Sequence, residues 1–139
     1  MSLNVLVVDD SQTVRAVVAK TLRLTGAPIG EIFMAENGVE GLEVLRNQWV
    51  DLVLSDINMP IMGGVEMIER MKQDNVLKTI PVVVVSTEGS KTRMDELISK
   101  GVRAYIRKPF TPEAIRGIID EIVGEGAADA TTGTERDSQ

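Results

Sequence analysis

Short apolar runs alternate along this chain with stretches whose apolar residues recur at helical spacing, and the pair repeats five times. Leu3–Val8 is apolar apart from Asn4 and predicts a first strand. Val14, Val17, Val18, Thr21 and Leu22 then mark one helical face, with Ser11 as N-cap and Gly26 as stop. Glu31–Ala35 predicts the second strand, and Val39, Leu42, Leu45 and Trp49 the face of a second helix. Leu52–Leu54 is the third strand, and Met67, Ile68 and Met71 line a third helix. Ile80–Val85, the most hydrophobic segment, is the fourth strand; Met94, Leu97 and Ile98 follow on a helix that Gly101 stops. Arg103–Ile106 is a short fifth strand. A fifth helix starts with Thr111 as N-cap and Pro112 at its first position, and buries Ile115, Ile118, Ile119 and Ile122.

Strands that are apolar on both faces are those covered by helices on both sides, which implies a parallel sheet. The predicted class is α/β: a five-stranded parallel sheet, doubly wound as (βα)5, in a three-layer sandwich. Ligands of such sheets bind beyond the carboxyl ends of the strands. Residues 1–123 are expected to hold this domain. Residues 124–139 contain no Val, Ile, Leu, Met or aromatic residue and read as a disordered acidic tail.

Composition narrows the chemistry. The 139 residues carry 15 Lys+Arg against 21 Asp+Glu, a net charge of -6, and only 3% are aromatic. Nucleic-acid binding needs a cationic footprint and stacking platforms, so it is excluded. There is no histidine and no cysteine. Imidazole bases, thiolates and Cys/His zinc sites are excluded with them. No segment has the length and apolarity of a membrane span or a signal peptide, so a cytoplasmic protein without membrane insertion is expected.

The strand ends hold the candidate chemistry. Strand one ends in Asp9-Asp10, strand three in Ser55-Asp56, strand four in Ser86-Thr87, and strand five runs into Lys108-Pro109-Phe110. Three carboxylates, a hydroxyl and an ammonium are thereby directed to one crevice. Clustered carboxylates repel, so a cation is expected among them, and an all-oxygen ligand set favours Mg²⁺ over zinc or copper.

These motifs resemble the receiver domains of two-component response regulators, in particular the stand-alone CheY type, whose sheet is the flavodoxin-like one. The resemblance covers roughly Leu3–Val123 and rests on V-V-D9-D10-S, D56-I-N-M-P-x-M-x-G, V-V-S86-T and K108-P-F, in that order. It implies that Asp56 accepts a phosphoryl group from a histidine kinase or a histidine phosphotransfer protein. Asp9, Asp10, Asp56 and the backbone carbonyl of Asn58 would hold Mg²⁺, with Mn²⁺ able to substitute. Lys108, the Ser86 hydroxyl and the Thr87 amide would meet phosphoryl oxygens. Ser86 and Tyr105 would form the switch that reports phosphorylation, and Asn58 and Glu88 would tune its lifetime. The Lys108-Pro109 bond is expected cis. The chain is expected to be a monomer with weak phosphorylation-dependent dimerisation, and a signalling phosphoacceptor rather than an enzyme acting on other substrates. Chemotaxis is one pathway this type serves.

The charge is uneven. Lys91–Arg116 carries seven bases (Lys91, Arg93, Lys100, Arg103, Arg107, Lys108, Arg116) and three acids (Asp95, Glu96, Glu113), a net of +4 within a chain of -6. This stretch is helix four, strand five and the start of helix five. With Lys91, Arg93, Arg103, Tyr105 and Arg107 as its contact residues, it fits a downstream protein target with an acidic surface. Two other readings compete: a receiver-like module that binds partners without phosphorylation, and a carboxylate-based phosphatase. The phosphatase needs D-x-D at the first strand end, where this chain has adjacent aspartates.

Overall fold

In the computed structural model, residues 2–87, 90–108 and 110–130 are described, with side chains as far as residue 124. The five strands are β1 (Leu3–Val8), β2 (Ile29–Ala35), β3 (Leu52–Ser55), β4 (Val82–Ser86) and β5 (Ala104–Arg107). The helices are α1 (Gln12–Leu24), α2 (Gly38–Asn47), α3 (Gly64–Lys72), α4 (Lys91–Ser99) and α5 (Pro112–Ala130), with a 3-10 turn at Leu77–Thr79. The sheet is parallel in the order β2-β1-β3-β4-β5. Strand order therefore reverses direction at β1, and the β1/β3 switch point opens the crevice where such folds bind ligands.

Each face of the sheet has its own core. Leu6, Val8, Val53, Val82 and Val84 pack with Leu42, Leu45, Met67, Ile68, Met71 and Leu97, so α2, α3 and α4 cover one face. Val5, Val7, Leu54, Val83, Val85 and Ile106 pack with Val18, Leu22, Ile115 and Ile119, so α1 and α5 cover the other. Burial on both faces is why β1, β3 and β4 show apolar runs rather than alternation. Caps set the helix starts: Ser11 accepts from Val14 N–H at 3.2 Å, Asn37 from Glu40 N–H at 3.0 Å and Thr111 from Ala114 N–H at 3.2 Å.

Several details differ from the sequence reading. β2 starts at Ile29, two residues before the predicted start, because Leu3 pairs with Ile29 across the β1–β2 ladder. Trp49 lies beyond the end of α2, 77% exposed, and its indole N–H donates to Asp51 Oδ1 at 2.9 Å. Val17, Val39 and Ile98 are exposed too, at the margins of their helices' buried faces. The predicted boundary after Val123 falls within α5, whose backbone stays helical to Ala130. Ala127, Ala128 and Ala130 have high helix propensity, and elongating a formed helix is cheap. Residues 131–139 lie outside the described residues. Among the described residues, no helix is long and apolar enough to cross a membrane.

Candidate functional site

Strand register brings the acids together. Val8 pairs with Ser55, so the next residue on each strand, Asp9 and Asp56, leaves the sheet side by side; Asp56 N–H donates to the Val8 carbonyl at 2.9 Å. Ser86 pairs with Arg107, and Lys108 N–H donates to the Ser86 carbonyl at 2.8 Å, which delivers Lys108 to the same edge. One carboxylate oxygen from each of Asp9, Asp10 and Asp56 lies within 4.8 Å of the others. Lys108 Nζ reaches Asp9 Oδ2 at 3.1 Å and Asp56 Oδ2 at 3.9 Å.

The three acids differ in setting. Asp9 is buried, and both its oxygens are held: Oδ1 accepts from Ser11 N–H at 2.9 Å, and Oδ2 faces Lys108. A buried carboxylate needs such partners. Asp10 is exposed. Asp56 is half-buried, and its Oδ1 accepts from Ile57 N–H at 2.8 Å. Burial pushes the Asp56 carboxyl above its ordinary value of 3.8, with Asp9 and Asp10 adding to the rise, against the Ile57 N–H and Lys108, which pull it down. A half-buried carboxylate among two other acids and one ammonium gains from added positive charge. The donor set is all oxygen, as a hard divalent cation requires, so these residues can hold one.

The remaining predicted residues are placed as follows. Ser86 is buried at the end of β4, and Thr87 after it is exposed. Asn58 is exposed, two residues past Asp56. Tyr105 on β5 pairs in register with Val84 and packs partly buried against the α2–α3–α4 core. Lys91 pairs with Asp95 at 3.0 Å and Arg93 with Glu96 at 2.6 Å, so these two of the face's four bases have acidic partners on α4. Arg103 precedes β5, and Arg107 is exposed at its end. Glu88 and Pro109, with the expected cis bond, lie outside the described residues.

Arg15 escapes a reading by motif, and Gly64, within the D56 motif, has a role that residue type alone does not assign. Arg15 on the first turns of α1 donates to the Asp9 carbonyl at 2.6 Å and ties the helix to the acid pair. Gly64 donates its N–H to the Ile57 carbonyl at 2.8 Å, and a Cβ there would overlap the Asp56 carbonyl. Arg15 stands among residues read as an ordinary helix. The final Gly of the D56 motif does signal a close approach.

Comparison with known proteins converges on one family. The model of the response regulator receiver domain matches residues 5–120. A chemotaxis protein CheY homolog of Campylobacter jejuni is 34% identical over 128 residues, 91% of this chain and 97% of its own length. Chemotaxis protein CheY1 of Helicobacter pylori (strain J99) is 36% identical over 123 residues, 88% of this chain and 98% of its own. Among solved structures, chemotaxis protein CheY4 of Vibrio cholerae superposes with a TM-score of 0.77 at 30% identity, covering 88% of this chain and 99% of that one.

Proposed function

The chain belongs to the response regulator receiver domain family, and from that premise we propose that Asp56 is its phosphoacceptor, serving a phosphorelay in which a histidine kinase or histidine phosphotransfer protein is the donor. The observation that carries this reading is the convergence of Asp9, Asp10 and Asp56 within 4.8 Å, with Lys108 reaching both Asp9 and Asp56. The chemotaxis names of the relatives support a chemotaxis role for this chain.

An Asp56 carboxylate oxygen forms a bond to phosphorus as the P–N bond to the donor imidazole breaks. The electron pair stays on the imidazole, which takes a proton from solvent. Asp9, Asp10, Asp56 and the Asn58 carbonyl would hold Mg²⁺, or Mn²⁺ in its place. The bound ion would neutralise charge where two anions must meet. Lys108 adds a second positive charge and orients the incoming phosphoryl oxygen, while the Ser86 hydroxyl and the Thr87 amide supply further donors. Water then hydrolyses the acyl phosphate slowly, which makes the signal temporary. Capture of the phosphoryl group by Ser86 would let Tyr105 repack on β5, passing the change to the face of Lys91, Arg93, Arg103 and Arg107, where a target with an acidic surface binds.

Incubation with acetyl phosphate and Mg²⁺ is expected to add the mass of one phosphoryl group, removable by hydroxylamine and prevented by chelation. No increment would refute the acceptor reading. Multiple turnovers of donor within the lifetime of the acyl phosphate would favour a phosphatase instead.

A further inference from the structure

The indole of Trp49 stands in solvent, and the fold holds it there. Trp49 is the chain's one tryptophan and is 77% exposed. Its indole N–H donates to Asp51 Oδ1 at 2.9 Å, and Asp51 Oδ2 accepts from Asn4 N–H at 2.9 Å. Asn4 Nδ2 completes the ring of bonds by donating to the Trp49 carbonyl at 3.0 Å. Side chain and backbone are thus both fixed. An exposed aromatic ring that is already fixed loses little conformational entropy on binding, which suits it to be an anchor.

The indole borders a groove of about 230 Å³, lined by Leu45, Leu77, Ile80 and Pro81, with Val76 (72% exposed) on its margin. Asp74 holds that margin in place, its Oδ1 accepting from the Val76 and Leu77 N–H groups at 2.8 and 3.0 Å. Asp51 and Pro81 immediately precede β3 and β4, so the groove lies at the amino end of the sheet. Asp56 leaves the other end of β3, and the acceptor chemistry does not use this surface. Small-molecule sites run to roughly 300–1,000 Å³. This groove is smaller, and suits one or two side chains of a larger partner.

Charge selects which side chain. Of the lining residues, Asp51 alone is charged. Both of its partners are neutral N–H groups, and among the described residues no Lys or Arg pairs with it. A carboxylate has about four lone-pair sites, which leaves capacity on each oxygen. Arg46, on the last turn of α2, acts elsewhere: the Leu77 and Val76 N–H groups, and more weakly Arg46, hold the Asp74 carboxyl below its ordinary value. A planar guanidinium stacks on an indole face and presents two parallel N–H groups to a carboxylate. Lysine carries a point charge without that fork.

We propose that the Trp49–Asp51 groove is a docking socket for an arginine flanked by aliphatic side chains on a partner protein. The arginine stem lies along Leu45, Leu77 and Ile80, and its guanidinium stacks on Trp49 against Asp51. The socket is independent of phosphoryl transfer at Asp56, and it gives the chain an attachment point at the end of the sheet away from the crevice.

The test titrates the full chain with acetyl-Val-Arg-Val-amide and follows tryptophan emission, which reports this groove because Trp49 has no second tryptophan beside it in the chain. A saturable change is expected. Citrulline in place of arginine keeps the shape and removes the charge, and is expected to bind about tenfold more weakly. Asp51→Asn is expected to erase that preference. Val76→Ser, at an exposed position, is expected to weaken the arginine peptide about threefold and to leave phosphoryl uptake from acetyl phosphate unchanged. Should Asp51→Asn fail to fold, the arginine–citrulline comparison and Val76→Ser still decide. Equal binding of the two peptides would overturn the proposal, as would no change in emission up to about 10 mM arginine peptide. A dimer of the chain alone in sedimentation, lost in Trp49→Ala, would also overturn it by assigning the groove to a second copy.

Discussion

Asp56 is placed where a charge is costly at rest and, with Asp56 as the proposed phosphoacceptor, useful in reaction. Burial, and then the neighbouring Asp9 and Asp10, raise its carboxyl above 3.8, and the Ile57 N–H and Lys108 only partly counter this. Between 3.8 and that raised value, the folded chain binds the proton more tightly than the unfolded chain does. Stability therefore falls as pH rises through this window, and at neutral pH the ionised group opposes folding. In metal-free buffer at pH 7, Asp56→Asn is expected to raise the Tm by about 2–4 °C in a thermal melt. The gain should vanish once the pH drops below about 3.8, where the wild-type carboxyl is protonated in both states. A gain that grows with acidity would contradict the assignment of burial as the main cause. Asp9 contrasts with it: more buried, it has Lys108 and the Ser11 N–H on its two oxygens.

At the scale of elements, the loop after β3 depends on close approach more than on side-chain chemistry. Gly64 opens α3 directly against the Asp56 carbonyl, whereas Gly117 in α5 would meet nothing within 4 Å if given a Cβ. Gly64→Ala is therefore expected to cost about 1–3 kcal/mol by forcing the end of β3 apart from α3. Gly117→Ala is expected to gain about 0.5–1 kcal/mol by removing a flexible residue from a helix interior. Denaturant melts of the two variants would check both signs. The elements themselves were largely legible from hydrophobic pattern, because double coverage of a parallel sheet leaves continuous runs in β1, β3 and β4. The failures were at element margins. Trp49 has the spacing of the α2 face, but the helix ends at Asn47, and Asp51 holds the indole outside it. The 3-10 turn at Leu77–Thr79 carries no periodic signal; Asp74 accepts from the Val76 and Leu77 N–H groups and sets it up locally.

For the whole molecule, register and strand order convert four separate motifs into one crevice. Asp9, Asp10, Asp56 and Lys108 were legible because strand-end chemistry in this class is constrained by topology. The role of Arg15 was not, since a hydrogen bond to a main-chain carbonyl leaves no trace in residue type. The net charge of -6 also acquires a layout: three acids clustered at the crevice, and an excess of +4 along Lys91–Arg116. The chain holds 21 Asp and Glu residues, of which Asp56 alone is the proposed phosphoryl acceptor. Borohydride reduces an acyl phosphate on aspartate to homoserine, so the site can be read by sequencing peptides from the whole chain after treatment with acetyl phosphate and Mg²⁺. Homoserine is expected at position 56 alone, and none anywhere in Asp56→Asn. Homoserine at Asp9 or Asp10, or its appearance elsewhere with position 56 unmodified, would contradict that assignment.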